Sequence, residues 1–168
     1  MKIELGTIND ISKITKTVSY CIIDLIDKKI YQWNENHPTN EIFINDINNN
    51  ELFIIKDDNI CIGVIVLNEH QANEWRTVQW SKLNSRPLII HRLIVHPAFQ
   101  RRGIGRTLID FAINYTKTNK FDSIRFDVYS GNPDLIKTYE KMGCVKRGEV
   151  MFPYRELPFF CYELDLNI

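Results

Sequence analysis

The sequence lacks a net charge. Its 21 Lys and Arg residues balance 21 Asp and Glu residues over 168 positions. Proteins that bind nucleic acids or anionic membranes usually carry an excess or a stripe of basic charge. We therefore expect no nucleic-acid partner and no membrane partner.

Long apolar runs are also missing. No hydrophobic stretch approaches the roughly 20 residues that a membrane-spanning helix needs. The first residues, 1–6, hold an acid within a very short apolar stretch, which is unlike a signal peptide. These absences predict a cytoplasmic protein. The length, with 44% hydrophobic and 25% charged residues, predicts one globular domain over 1–168.

Cysteine and histidine occur without the spacing of a redox motif or a metal site. No pair among the four cysteines forms C-x-x-C, and the four histidines are scattered. We predict buried free cysteines in a reducing compartment and no metal. The four cysteines are Cys21, Cys61, Cys144 and Cys161, and the four histidines are His37, His70, His91 and His96.

Hydrophobic periodicity predicts the order β-α-α-β-β-β-α-β-α-β-β. Strands are predicted at 2–5, 52–56, 60–67, 88–95, 124–129, 144–150 and 160–166, and helices at 8–25, 41–47, 103–117 and 133–142. The last two helices are crossovers, which predict an α/β fold with part of its sheet parallel. Residues 68–86 form the longest irregular stretch, and long loops of this kind are often functional.

The segment 96–106 carries the clearest chemical signal. A strand ends at Val95, Pro97 breaks it, and Gly103 and Gly105 lie where the next helix begins. The first amides of a helix have no intrahelical acceptor, and the helix dipole places positive charge there. Glycines let an anion approach those amides, so the turn is predicted to hold a phosphate or pyrophosphate. Further positive charge comes from Arg101, Arg102 and Arg106.

Two common phosphate loops do not match this turn. A Walker loop requires Gly-Lys-Ser/Thr, whereas Gly105 is followed by Arg106 and Thr107. A dinucleotide fingerprint requires a third glycine where Leu108 stands. The glycines alone leave open a plain strand-to-helix turn with a solvated arginine cluster.

Two motifs resemble landmarks of the GNAT superfamily of N-acetyltransferases. Gln100-x-x-Gly103-x-Gly105 resembles the Gln/Arg-x-x-Gly-x-Gly/Ala signature of that family. Asn132 and the run 139–144 resemble its second landmark, an Asn followed by a helix ending in Tyr-x-x-x-Gly-Phe. The close match covers roughly residues 88–150, and the element order extends the resemblance over the whole chain.

The resemblance implies a mixed, largely antiparallel central sheet with a splayed parallel pair and flanking helices. It also implies acetyl-CoA as cosubstrate and acetyl transfer to a primary amine. The implied cofactor-binding residues are Leu93, Val95, Gln100, Arg101, Arg102, Gly103, Ile104, Gly105, Arg106 and Asn132. A non-catalytic coenzyme A-binding or sensor domain of the same fold is the alternative.

The resemblance further implies that Tyr139 protonates the departing thiolate. The alternative is a core aromatic, because Tyr139 shares a helix face with Leu135 and Met142. Asn132, besides contacting pantetheine, is expected to cap its helix, with Pro133 at the first position.

The proton acceptor is less well defined by the sequence. Many family members use a glutamate on the central strand, but 88–95 contains no acidic residue. By alternation His91 shares a face with Leu93 and Val95, so it is a candidate general base. A structural histidine, a loop carboxylate such as Glu74, and water are the alternatives.

The acceptor amine is not identified by the sequence. A small-molecule amine and a peptide or protein amine both stay open, as does a homodimer. The first two helices, the loop 68–86 and the turn 151–159 are expected to shape its site. An aromatic wall with an attracting carboxylate could use Tyr31, Trp33, Trp75, Trp80 and Tyr154, with Glu69 or Glu74.

Overall fold

The computed structural model describes residues 1–82, 84–153 and 155–166. The observed order of helices and strands is the predicted one, so that prediction is confirmed. They are β1 (Ile3–Leu5), α1 (Ile11–Asp27), α2 (Asn40–Asn48), β2 (Leu52–Asp57), β3 (Ile60–Asn68), β4 (Pro87–Val95), α3 (Ile104–Thr118), β5 (Ser123–Tyr129), α4 (Pro133–Lys141), β6 (Val145–Val150) and β7 (Phe159–Asp165). Short 3-10 turns add Ile8–Asp10, Asn73–Thr77 and Pro97–Phe99.

The seven strands form one sheet in the order β1-β2-β3-β4-β5-β7-β6. Antiparallel ladders join β1 to β2, β2 to β3, β5 to β7 and β6 to β7. β4 and β5 pair in parallel, from Pro87 with Ser123 to Ile89 with Arg125. The prediction of a mixed, largely antiparallel sheet with a parallel pair is therefore confirmed.

The chain divides into two compact units. Unit 1 comprises Met1–Leu67 and Ile90–Ala112, and unit 2 comprises Asn68–Ile89 and Ile113–Ile168. Strand β4 therefore contributes its first residues to unit 2 and its last residues to unit 1.

Unit 1 has a core in which α1 and α2 pack on the sheet. The apolar residues of α1 recur every three or four positions, so one stripe of the helix is buried. The hydroxyl of Thr17 also donates to the carbonyl of Cys61 at 2.6 Å. The buried cluster contains Ile14, Val18, Cys21, Phe43, Ile47, Leu52, Ile54, Cys61, Val64, Val66 and Ile94.

Strand β4 is interrupted at Arg92, whose φ of 45° lies in the left-handed region. The Arg92 guanidinium makes a bidentate ion pair with Asp46 of α2, at 2.7 and 3.0 Å. Burial raises the pKa of Asp46, and Arg92 opposes that rise. The ion pair therefore holds the interrupted strand against α2 and gives Arg92 a structural role.

Unit 2 has different cores on the two faces of β5. On one face, Phe126 packs against Tyr139 of α4 and Tyr162 of β7, with ring centroids 4.6 and 5.8 Å away. On the other, the loop 68–86 covers the sheet. The cluster there contains Trp75, Val78, Ile89, Val150 and Cys161, with Ala72, Trp80, Phe152 and Phe159 packed against it.

A buried carboxylate connects this loop to the sheet of unit 2. Glu163 of β7 accepts hydrogen bonds from Arg125 at 2.9 Å, from Arg147 at 3.0 Å and from the Ser81 amide at 3.0 Å. Arg125 in turn donates to the loop at the Gln71 side chain, the Lys82 carbonyl and the Ser85 hydroxyl. The network therefore fixes the covering loop to β5 and β7.

The four cysteines are free and buried, as predicted. Burial raises the pKa of Cys21, Cys61 and Cys161 to about 12 and that of Cys144 to about 11. Within the described ranges, no helix is both long enough and apolar enough to cross a bilayer.

Glu163→Gln should lower the free energy of unfolding at pH 7 by about 3–5 kcal/mol, because it leaves Arg125 buried without its counter-charge. Burial by itself raises the pKa of Glu163, but hydrogen bonds from Ser81 and Arg125 outweigh it and hold the pKa below its ordinary value. The ionised carboxylate therefore contributes stability above about pH 4.3, and this is lost as the pH falls through the folded-state pKa.

Urea unfolding of both proteins at neutral and acidic pH measures this effect. We expect the difference between wild type and variant to be largest at pH 7 and to shrink in acid. A difference that stays constant over that range would contradict an ionised Glu163.

Candidate active site

The turn between β4 and α3 leaves helix amides uncapped. Gly103 has a φ of 83°, and its carbonyl accepts the first helical hydrogen bond from the Thr107 amide at 2.9 Å. Gly103 is therefore the N-cap of α3, and it has no side chain to occupy the amides of the first turn. A Cβ placed on Gly103 would meet no atom within 4 Å. The start of α3 is thus open to an incoming group.

The side chains of the turn are arranged around this helix start. The Gln100 side chain donates from Nε2 to the Val95 carbonyl at 3.3 Å, which holds the turn to the end of β4. Arg101 is exposed and has a φ of 60°. The Arg102 guanidinium lies 5.1 Å from the Phe99 ring centroid, and Arg106 pairs with Asp110 at 2.8 Å. The predicted basic residues thus lie on one turn.

The end of β4 also presents backbone donors. The His96 amide donates to Ile62 of β3 at 3.0 Å. Successive amides of an extended strand point to opposite edges. The amides of Val95 and Leu93 are therefore directed to the edge of β4 that faces away from β3.

His91 precedes the interruption of β4. It is partly buried. The left-handed φ of Arg92 breaks the regular alternation on which the prediction for His91 depended. After this point the alternation of the strand is regular. The Val95 side chain faces α3, since a Cβ placed on Gly105 would lie 3.7 Å from it, and the Ile94 side chain belongs to the core formed with α1 and α2.

In unit 2, Asn132 caps α4 as predicted. Its Oδ1 accepts from the Leu135 amide at 3.2 Å, and Pro133 occupies the first helical position. Gly143, with a φ of 86°, follows the end of the helix. The cap occupies Oδ1, so the amide nitrogen of Asn132 is the group left for another partner.

Tyr139 of α4 is buried, with 6% of its surface exposed. Its ring packs on Phe126 of β5, with centroids 4.6 Å apart. Burial raises the pKa of Tyr139, and Cys144 adds to the rise. The phenol is therefore protonated at neutral pH, which a proton donor requires.

The residues predicted to form an acceptor wall separate into several environments. Tyr31 is 55% exposed, and Trp33 packs against the core of unit 1. Glu69 pairs with Arg86, whose Nε lies 2.9 Å from its carboxylate. Arg125 stacks over the Trp80 ring at 4.4 Å. Tyr154 lies outside the described residues.

Asp127, a carboxylate that the sequence analysis did not select, is hydrogen-bonded to Trp75. The Trp75 indole donates from Nε1 to Oδ2 of Asp127 at 3.2 Å. Burial raises the pKa of Asp127 to about 6, Trp75 opposes the rise, and Glu74 adds to it. The available signal was an acidic residue inside a short strand, directly between the apolar residues Phe126 and Val128. The surroundings of Asp127 depend on how the loop 68–86 packs on the sheet, which the sequence does not reveal.

No group of three or more His, Cys, Asp or Glu side chains suited to a metal ion occurs in the part of the chain that the structure describes.

Comparison with known proteins defines the family of this chain. The model of the acetyltransferase (GNAT) family matches residues 21–144. The chain belongs to this family.

Several solved acetyltransferase structures have the same fold as this chain. A GNAT-family acetyltransferase from Streptococcus agalactiae has 20% identity and a TM-score of 0.81, covering 98% of this chain and 94% of its own. The protein yncA from Salmonella typhimurium, solved with its cofactor acetyl-CoA, has 16% identity and a TM-score of 0.70, covering 99% and 94%. A ribosomal-protein-alanine N-acetyltransferase from Brucella melitensis has 16% identity and a TM-score of 0.72, covering 99% and 100%. At these identities the likeness indicates a shared fold.

The two glycines of the turn should respond differently to alanine. Gly103→Ala should lower the free energy of unfolding by about 1–2 kcal/mol, because its left-handed backbone disfavours a side chain although the space is open. Gly105→Ala, within α3, should leave it unchanged or raise it by about 0.5–1 kcal/mol. Urea unfolding of the pair measures both, and equal effects would contradict this geometry.

Proposed function

We propose that this protein is an acetyl-CoA-dependent N-acetyltransferase of the cytoplasm, with residues 1–168 acting as one catalytic domain. The observation that carries this proposal is the start of α3. There Gly103, at the position of the family signature, leaves the first helical amides open. Acetyl-CoA supplies the activated acetyl thioester, and the residues of the chain bind it and move protons.

The turn suits the pyrophosphate of acetyl-CoA. The amides of Ile104, Gly105 and Arg106 have no intrahelical acceptor, and the helix dipole favours an anion there. Arg101 and Arg102 add positive charge, whereas Arg106 is already shared with Asp110. Because these side chains are exposed, we assign most of the binding to the backbone amides and to the absence of a side chain at Gly103.

The edge of β4 suits the pantetheine arm. The amides of Leu93 and Val95 point away from β3, as their register requires, and we assign them to the pantetheine and thioester carbonyls. A fixed N–H beside a thioester oxygen stabilises the negative charge that develops there during acyl transfer. The side-chain amide of Asn132 is assigned to the same arm, since capping leaves its nitrogen available.

Tyr139 is proposed as the proton donor to the departing sulfur. Its raised pKa keeps the hydroxyl protonated until a thiolate forms nearby. For the proton acceptor, His91 on β4 is one proposal, and a carboxylate of unit 2 or water are the others. A neutral imidazole can accept a proton directly or through one water.

A panel of acceptors incubated with acetyl-CoA tests the function. The panel should include phenethylamine, a polyamine, an aminoglycoside and a peptide with an N-terminal alanine, the last because one structural neighbour is a ribosomal-protein-alanine N-acetyltransferase. Thiol release together with acetylated acceptor mass supports the proposal. Acetyl-CoA binding without turnover on any acceptor would favour the non-catalytic coenzyme A-binding alternative.

Gly105→Glu should nearly abolish acetyl-CoA binding, because it places a carboxylate beside the proposed pyrophosphate site. A Cβ at Gly105 makes only an ordinary van der Waals contact, with the Val95 side chain at 3.7 Å. Gly105→Ala is the matched control and should bind normally. Calorimetric titration of both folded variants decides the point, and unchanged affinity in Gly105→Glu would refute the assigned turn.

Tyr139→Phe removes only the hydroxyl and keeps the ring packed on Phe126. We expect kcat to fall by about 10²–10⁴, the usual contribution of general acid catalysis. The dissociation constant for acetyl-CoA should change little. Wild-type kcat in a folded variant would make Tyr139 a core residue only.

A further inference from the structure

Asp127 differs from Glu163, the buried acid described above for unit 2. It lies at the centre of β5, opposite Cys161 of β7. Its neighbours on this face are the apolar cluster under the loop 68–86, and its hydrogen bond comes from the Trp75 indole. The residue is partly exposed.

Glu163, on the same face, shows what a purely structural carboxylate looks like here. Its side chain is fully buried and is met by two guanidinium groups, those of Arg125 and Arg147. Among the described residues, Asp127 has an indole N–H but no basic side chain within ion-pairing distance. A carboxylate has room for about four hydrogen bonds, so Asp127 has acceptor capacity that Trp75 does not fill.

The location of Asp127 on β5 adds to this argument. The parallel ladder with β4 ends at Arg125, so Asp127 lies two residues beyond the last pair. The preceding residue, Phe126, points to the opposite face and packs on Tyr139. Consecutive strand residues thus direct one side chain toward the proposed acid and the other toward the loop with Trp75.

We propose that Asp127, together with Trp75, forms the binding site for the ammonium group of the acceptor, and that Asp127 takes up its proton. This inference rests on the proposed acetyltransferase function and names the residue that recognises the acceptor. The ligand class is a primary ammonium attached to an apolar or aromatic group, because the cluster beside Asp127 is apolar and includes Trp75. Asp127 itself supplies a carboxylate that no basic side chain of the described residues pairs. Aromatic faces also favour a neighbouring cation.

The proton balance is simple. One N–H bond of the ammonium breaks, one O–H bond forms at the free oxygen of Asp127, and the amine keeps its lone pair for attack. Asp127 then releases the proton to water. With a pKa of about 6, Asp127 is ionised at neutral pH and is a stronger base than an ordinary aspartate.

The surrounding charges are compatible with a cation at this position. Arg125 and Arg147 are both paired with Glu163, and Lys146 is paired with Glu149. Glu74 contributes further negative potential from the loop. The titratable and charged groups around Asp127 are Glu74 on the 73–77 turn, Arg125 on β5, Cys161 and Glu163 on β7, and Lys146 and Arg147 on β6.

Asp127→Asn tests the proposal, because it keeps the shape and the Trp75 hydrogen bond but removes the charge. For the best amine of the panel, we expect kcat/KM to fall by about 10²-fold or more. Affinity for acetyl-CoA should be unchanged, which separates this result from failure of the cofactor site. The acidic limb of the wild-type pH profile should disappear in Asp127→Asn and persist in His91→Gln.

A second measurement does not depend on turnover. The indole N–H resonance of Trp75, assigned by Trp75→Phe, should titrate near pH 6 in the wild type and not in Asp127→Asn. Saturating phenethylammonium should lower the midpoint, since a bound cation favours the ionised carboxylate. Neutral 2-phenylethanol, the matched control, should leave it unchanged.

Two results would overturn the proposal. The first is an Asp127→Asn enzyme whose kcat/KM for amines stays within threefold of wild type. The second is an acidic limb lost in His91→Gln but kept in Asp127→Asn, which would assign proton removal to His91. If no amine is acetylated but phenethylammonium shifts the Trp75 titration, the ammonium site stands and the proposed acetyltransferase function fails.

Discussion

The contact of Glu163 with Arg125 is the interaction on which the arrangement of unit 2 depends. Arg125 meets Glu163 on one side and three groups of the loop 68–86 on the other. A loop without regular secondary structure cannot satisfy its own backbone and needs such attachments. Because the loop is attached, Trp75 lies against β5, and the surroundings of Asp127 become apolar. The ion pair of Glu163 with Arg125 thus determines the apolar environment of Asp127.

The two units contribute in different ways. The groups proposed for unit 1 are largely backbone amides, at the start of α3 and the edge of β4, and Gly103 leaves the helix start open because it has no side chain. The groups proposed for unit 2 are side chains, a buried phenol and a partly buried carboxylate. Backbone donors are insensitive to most substitutions, whereas each role proposed for proton transfer in unit 2 depends on one side chain.

The sequence predicted the element order because each helix and strand has a clear period and clear boundary residues. Pro133 and Gly143 delimit α4, and Gly103 and Gly105 mark the start of α3, so local chemistry was sufficient there. Asp127 was not predicted, because its importance arises from Trp75, which is 52 residues away in the chain. The prediction for His91 used regular alternation along β4, and no residue pattern indicates the left-handed φ at Arg92, which is an arginine rather than a glycine. The role of His91 stays a prediction.

The pairing of Arg106 with Asp110 affects how strongly anion binding at this turn should depend on ionic strength. A cluster of unpaired arginines would attract a polyanion over a Debye length of about 8 Å, and salt would screen that attraction. Here one of the three charges is offset by a neighbour on the same helix, while the open amides act only at contact distance. If coenzyme A binds this turn as proposed, short-range hydrogen bonds would hold it, and its affinity should depend only weakly on the salt concentration.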